Sequence, residues 1–295
     1  MTQQGGSGRP AVAVISSHVA RGSVGNRAAV FALESLGFPV WAVTTVSLPW
    51  HPGHGPAPRI VPDDREFAAY MQALASSPHL LEVGAVLTGY LGSPEQAEAI
   101  AGFIAAARRV NPNLLHVCDP VIGDRSGLYV SEAVAEEIRD RLFTRADLVT
   151  PNRFELEWLT GRNLDTNDAI AAAASSLDAP TALVTSAHPL LAGGTGNLLI
   201  DHGKAVFAEH RFIEDAPNGP GDLTAALFLG RILMGASPEK ALQLATASVF
   251  EMVSRTCKRG ADELMLETDS TSMLKPMAMV QMRHMALSPS PPQRA

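Results

Sequence analysis

The sequence predicts an α/β fold of three layers: a mostly parallel central sheet, helices on both faces and an antiparallel hairpin near one sheet edge. Three observations carry that reading. Short apolar runs of strand length alternate with helically spaced apolar segments along the chain. The strand-like runs lack the polar alternation of a half-exposed strand, as expected where both sheet faces are covered. One pair of runs is joined by the tight turn Asp201-His202-Gly203, a hairpin signal. No tandem repeat and no linker divides the middle of the chain, so a single domain is the economical organisation.

The elements follow in order. AVAVISS (11–17) reads as a buried strand followed by a glycine-bearing loop, and NRAAVFALESLG (26–37) as a helix ending at Gly37 in the C′ position. PVWAVTTVSL (39–48) is a second strand. The Pro- and Gly-rich stretch 48–58 that follows is suited to a flap over a site. VGAVLTG (83–89) is a strand. The helix at 93–110 is expected to open with Ser93 as N-cap, Pro94 at N1 and Gln96 closing a capping box. Next come a strand at 114–120, a helix around 132–142, a strand at 146–151 and a helix at 152–161. A helix at 168–177, a strand at 181–186 and the hairpin GNLLI/KAVFAEH precede two helices at 222–235 and 237–255, which are expected to pack together.

Composition narrows the function classes. The chain has 295 residues, is 46% hydrophobic and carries a formal net charge of −7, with no basic block to suggest a nucleic-acid surface. Cys118 and Cys257 are the only cysteines and suit reduced thiols in a cytoplasmic protein. No run approaches the roughly 18 uncharged apolar residues of a membrane span. MTQQGGSGRP (1–10) lacks a signal-peptide apolar core and, like the end of the chain from 285 to 295, reads as a disordered tail.

In a parallel sheet ligands bind beyond the carboxyl ends of the strands, so polar residues there are informative. They are Ser16, Ser17 and His18 after the first strand, His51 and His54 in the flap, and Thr88 and Tyr90 after the third. Asp119, Asp124, Thr150, Asn152, Thr185 and Ser186 follow the later strands. No zinc-like His or Cys spacing, no P-loop, no dinucleotide-binding glycine fingerprint and no G-x-S-x-G elbow is present. What remains is acids, hydroxyls and glycines, the set used in magnesium-dependent phosphoryl transfer. NGPGD (218–222) opens the penultimate helix. Its two glycines read either as a plain turn with Asp222 as N-cap, or as an anion cradle beside a general base. Bland readings stand beside the others too: Asn152 as an N-cap, Glu155 complementing the helix dipole, Tyr90 as core, Ser17, Thr185 and Ser186 as local caps.

The stretches SSHVARGSVGN (16–26), TGYLGS (88–93), CDPVIGD (118–124), TPNRFELE (150–157) and GPGD (219–222) occur together and in order, and over roughly 11–268 they resemble the pyridoxal kinases of the ribokinase-like superfamily. The resemblance implies one kinase domain over 11–284 that transfers the ATP γ-phosphate to the 5′-hydroxyl of pyridoxal, pyridoxine or pyridoxamine. It implies Asp222 as catalytic base, with Gly219, Pro220 and Gly221 as the anion cradle. Ser17, Val19, His51, Pro52, Tyr90 and Asp222 would meet the acceptor. Asp119, Asp124, Thr150, Asn152, Glu155, Thr185, Ser186, Gly219 and Gly221 would meet ATP. Asp119 and Glu155 would hold Mg2+, partly through water, and a monovalent cation such as K+ and a homodimeric assembly are further implications. Two positions depart from the pattern: Pro220 stands where the family carries Thr or Val, and Pro52 where it carries a substrate-contacting hydroxyl. A hydroxymethylpyrimidine or sugar kinase, and a weakly active sensor of nucleotide or pyridoxal phosphate, are the alternatives.

Overall fold

The structure, a computed structural model, describes residues 8–286; the outer parts of both expected tails, 1–7 and 287–295, lie outside the described residues. β1 (Ala11–Val19), α1 (Asn26–Ser35), β2 (Val40–Leu48), α2 (Asp64–Ala75), β3 (Val83–Thr88), α3 (Pro94–Val110) and β4 (Leu115–Cys118) form the first half. A two-stranded ribbon, β5 (Gly123–Asp124) and β6 (Gly127–Leu128), leads to α4 (Glu132–Glu137), β7 (Leu148–Val149), α5 (Arg153–Thr160), α6 (Asn167–Ser175) and β8 (Thr181–Ala187). The chain continues through β9 (Gly194–Asp201), β10 (Lys204–Arg211), α7 (Pro220–Leu233), α8 (Pro238–Lys258), α9 (Ser270–Leu274) and β11 (Gln281–Met285).

Nine strands form one sheet in the order β11-β10-β9-β8-β7-β4-β3-β1-β2. The six from β8 to β2 are parallel, and β9, β10 and β11 add antiparallel pairs. The expected hairpin is β9–β10, turning at His202 (φ 44°) and Gly203 (φ 76°), the two left-handed residues that match sheet twist. β11 covers its outer side, so the hairpin lies one strand in from the edge.

Alternation along β1 shows why the apolar runs carry no polar face. Ala13 and Ile15 join one core, with residues of α2 to α6, while Val12 and Val14 join the other, with α1, α7 and α8. Both faces are sealed, which gives three layers. β1 also lies between β2 and β3, so the strand order reverses there and opens a crevice at their carboxyl ends.

Several expectations need correction. The helix α2 was not anticipated; Asp63 caps it, and only Phe67 and Met71 are buried, which leaves a weak apolar signal. The capping box on α3 does not form. Ser93 Oγ donates to Asp64 Oδ1 at 2.6 Å, and Gln96 Oε1 accepts from the Gly92 N–H at 2.8 Å while Gln96 Nε2 donates to Thr45 O at 2.9 Å. Tertiary partners outcompeted the local box. The helix expected around 132–142 is α-helical only to Glu137 and widens into a π turn over 138–142. β1 runs to Val19, so Ser16, Ser17 and His18 lie within the strand, and β11 ends at Met285, inside the expected tail. Arg9, also expected in a tail, lies over the Phe38 ring at 5.0 Å. Among the described residues no helix is long and apolar enough to cross a membrane, and both cysteines are free.

Candidate active site

The start of α7 is built around two glycines with different duties. Gly219 is the N-cap at φ 102°, and a Cβ there would lie 2.1 Å from Ser23 O, so no other residue fits the turn. Gly221 faces open space, with nothing within 4 Å of where a Cβ would stand. Pro220 occupies N1, where a missing N–H breaks no helix bond, and the first intrahelical bond runs from Leu223 N to Gly219 O at 3.0 Å. The N-cap reading of Asp222 is therefore corrected: it sits at N3, and its carboxyl is raised to about 6 by burial, partly offset by the backbone N–H groups of Gly25 and Asp222 itself.

Two more acids lie within electrostatic reach. Asp119 follows β4 and is buried; its Oδ1 accepts from the Thr150 hydroxyl at 3.0 Å. Burial, then the charges of Glu155 and Asp222, raises its carboxyl well above the usual range. Glu155 and Asn152 form a true capping box at the start of α5, so the bland reading of Asn152 holds alongside any other. Glu155 goes further: Oε1 accepts from Ile122 N at 3.0 Å and Gly123 N at 3.4 Å, and Oε2 from Asn152 N at 2.8 Å. Burial pushes it up to about 7, against those N–H bonds and with the charge of Asp222. Burial raises all three carboxyls, and the charge of Asp222 adds to the rise at both Asp119 and Glu155.

A cleft of about 230 Å³ runs from this helix start along β8, β9 and β10 to α8. At one end lie Pro220, Gly221, Thr185 and Ser186; at the other the wall is apolar, with Phe212, Val249 and Phe250 among its residues. Ser186 has φ 54°, and the β8–β9 register breaks between Val184 and Ala187, so a bulge presents Thr185 and Ser186 to the cleft. His210 stacks on Phe250 with ring centroids 4.5 Å apart.

On the other side, the β1–β2 register breaks between Ser16 and His18, where β2 carries the extra residue between Thr44 and Ser47, and Ser17 lies against Gly25. Tyr90 is fixed by its backbone: its N–H donates to Ser16 Oγ at 3.1 Å and its carbonyl accepts from the Thr45 hydroxyl at 2.6 Å. The structure thus gathers Asp119, Thr150, Asn152, Glu155, Thr185, Ser186, Gly219, Pro220, Gly221 and Asp222 at one end of the sheet. It does not gather them all. Asp124 turns back onto Ser126, accepting from its N–H at 2.7 Å and its hydroxyl at 2.5 Å. Val19 is wholly buried, His51 caps the short helical turn at 52–54 through Nδ1, and Pro52 is exposed. Residues not singled out from sequence also converge here: Gly25 and Asn26 beneath Ser17, and Arg59, whose guanidinium donates to the Tyr90 hydroxyl at 3.4 Å and Gly92 O at 3.1 Å. Gly25 and Asn26 close the SSHVARGSVGN stretch, which was the one available signal; Arg59 had none.

A family model described as phosphomethylpyrimidine kinase matches residues 65–267. The pyridoxal kinase PdxY of Rubrobacter xylanophilus is 38% identical, over 97% of this chain and all of its own length. The pyridoxine/pyridoxal/pyridoxamine kinase of Bordetella bronchiseptica is 39% identical over 86% of this chain and 92% of its own. Among solved structures, pyridoxal kinase from Leishmania donovani in complex with ADP and pyridoxamine superposes with a TM-score of 0.87 at 28% identity, covering 94% of this chain and all of that one.

Proposed function

This chain belongs to the pyridoxal kinase family of the ribokinase-like superfamily, and from that premise we propose that it transfers the γ-phosphate of ATP to the 5′-hydroxyl of B6 vitamers. One observation carries the reading: an acid, Asp222, stands at the start of a helix whose glycine turn opens onto the cleft. The apolar end of the cleft suits a nucleotide base, and the N–H groups at the start of α7 suit its phosphates. The acceptor would lie on the Ser17 and Tyr90 side.

Asp222 takes the proton of the acceptor hydroxyl as the alkoxide oxygen attacks phosphorus in line, forming the O–P bond while the bond to ADP breaks. A carboxylate poised near 6 is ionised at neutral pH and still basic enough to share that proton. The N–H groups of Gly219 and Gly221 would meet the transferring charge, while that of Asp222 already acts on its own carboxylate. The donor set also suits Mg2+. Among the described residues no three acidic, His or Cys side chains cage a metal directly, but Mg2+ keeps waters and phosphate oxygens and needs only one or two carboxylates. Asp119 would hold it, Glu155 would act through water because both its oxygens already accept backbone N–H bonds, and the ion would neutralise phosphate charge.

Cytoplasmic location and a homodimer belong to the same proposal. The free thiols of Cys118 and Cys257 support the first, and the family resemblance supports the second. Replacing KCl by NaCl in the assay tests the monovalent cation. The deciding experiment measures ADP release with pyridoxal, pyridoxine, pyridoxamine, hydroxymethylpyrimidine and ribose. Turnover should be fastest with a B6 vitamer. Faster turnover of hydroxymethylpyrimidine would favour the phosphomethylpyrimidine branch that the family model describes, and binding without any turnover would favour a sensor.

A further inference from the structure

We propose that Asn26 is a positioning residue that couples the register break between β1 and β2, beside Ser17 on the acceptor side, to the catalytic base at α7, a role that rests on the kinase reading above. The observations begin with the sheet. β1 and β2 pair regularly from Val12 to Ser16, then lose register before His18. A break of this kind interrupts the ladder inside the protein. Asn26, the first residue of α1 and 2% exposed, fills the gap: its Nδ2 donates to Ser16 O at 3.1 Å and to Val43 O at 2.8 Å. One side-chain amide therefore ties β1, β2 and α1 together beside Ser17.

The same residue fixes Gly25. The Gly25 carbonyl is held by the first turn of α1, accepting from Ala28 N at 3.1 Å and Ala29 N at 3.0 Å. Its other face is pressed on Ser17, since a Cβ there would lie 2.4 Å from Ser17 O and 2.7 Å from Ser17 Oγ. Its N–H is one of two that act on the Asp222 carboxylate. Gly25 is thus sandwiched between Ser17 and Asp222, and Asn26 is the clamp that sets its height. Val43 and Ser16 contribute only backbone, so no other side chain makes this link.

A purely structural plug would be built differently. Asn26 Oδ1 is buried and has no hydrogen-bond partner, a cost that an apolar residue of similar size would avoid. The amide gives its two N–H groups to the Ser16 and Val43 carbonyls, which an apolar residue could not bond, and leaves its own oxygen without a partner. Misplacing a reacting group by a fraction of an ångström costs far more in rate than in substrate binding, so the signature of positioning is a fall in kcat with nucleotide binding preserved.

The test compares wild type, Asn26→Ala and Asn26→Ser with pyridoxal and Mg·ATP, each rate divided by the ADP-binding fraction so that unfolded protein does not count. For Asn26→Ala we expect kcat to fall about 10-fold or more and the acceptor KM to rise about 3-fold, with the ATP KM within about 2-fold of wild type. Asn26→Ser, which keeps one hydroxyl donor toward the carbonyls, should recover part of kcat. If Asn26→Ala yields no folded protein, Asn26→Ser decides alone by the same split. Wild-type values in all three parameters overturn the proposal, as does a loss shared equally by both KM values and kcat. Wild-type turnover is measured first; should it occur only with another alcohol, the vitamer reading fails and the same split is taken with that alcohol.

Discussion

The start of α7 and the flap after β2 flank the same proposed reaction, and they are held by different physics. At α7 the groups are placed mostly by backbone: a left-handed Gly219 against Ser23 O, a helix start, and Glu155 bonded to the N–H groups of Ile122, Gly123 and Asn152, with the Thr150 hydroxyl on Asp119 the one side-chain tie. The flap is pinned by backbone at its ends, where the N–H groups of Ala20 and Arg21 donate to Leu48 O and Pro49 O and Ser47 pairs with Ile60, but its tip is held largely by side chains that solvent reaches. His54 Nε2 meets Glu263 Oε1 at 2.8 Å, Trp50 Nε1 donates to Gly55 O at 3.2 Å, and Gly53 lies against Asn218 just before the glycine turn. Chemistry is thus anchored in the core while the acceptor side rests on contacts that can open. Substitutions at the two should differ in kind: kcat effects at α7, KM effects at the flap.

The largest effect tests the α7 side. Asp222→Asn keeps the shape of the site and removes the base, so kcat should fall about 10²- to 10⁴-fold, measured as ADP release with pyridoxal, while ADP binding by calorimetry stays near wild type. Retained turnover would end the assignment of the base. Gly219→Ala comes next. The added methyl meets Ser23 O at 2.1 Å in a left-handed conformation, so the turn must shift. Loss of at least about 10-fold in kcat/KM, together with a lower Tm, is expected.

How the sequence could be read depends on the same contrast. The strand-end acids, Thr150 and the glycine turn were legible because strand ends and helix starts announce themselves through apolar periodicity and glycine. Asn152 and Glu155 were legible as an N-cap and a first-turn acid, but not as the capping box they form. Asn26 was not, because its role depends on a register break between β1 and β2 that no local pattern encodes. The tie from His54 to Glu263 joins residues 209 apart in the chain, and Arg59 meets Tyr90 from the far end of the flap. Gln96 shows the converse, a correct local signal that tertiary partners overrode.

The acids offer a sharper test of the α7 side through stability. Asp119 is protonated more readily in the folded protein than in the unfolded chain, because burial and the charges of Glu155 and Asp222 oppose its ionisation. The folded state then holds the extra proton, so this site stabilises at low pH and the contribution is lost as pH rises through the folded-state value. Asp119→Asn removes that penalty. Without ligand its Tm should exceed wild type by about 2–4 °C at pH 7.5, and by less at pH 5. Taking the difference cancels the buried His116, which burial lowers to about 4 and whose slope has the opposite sign. Adding Mg·ATP should reverse the ranking, since only wild type can bind the ion through Asp119. An unchanged Tm difference across pH would mean that burial and the neighbouring acids do not oppose ionisation of Asp119.

The smallest effect is expected at the flap, and it completes the comparison. The His54 side chain is 26% exposed and that of Glu263 12%. A pair of this kind, screened by solvent, is worth about 0.2–1 kcal/mol, which corresponds to less than about 5-fold in an equilibrium constant. His54→Ala should therefore raise the acceptor KM by about 2- to 5-fold and leave kcat and the ATP KM unchanged. Removing His54 is cleaner than removing Glu263, because Glu263 Oε2 also accepts from Ser23 N at 3.3 Å and so supports the loop beneath Gly219. Steady-state kinetics with varied pyridoxal at saturating ATP reads the outcome directly. If His54→Ala instead depressed kcat as deeply as Asp222→Asn, the flap would be part of the chemistry, and the division between a core-anchored reaction and a loosely held acceptor side would fall.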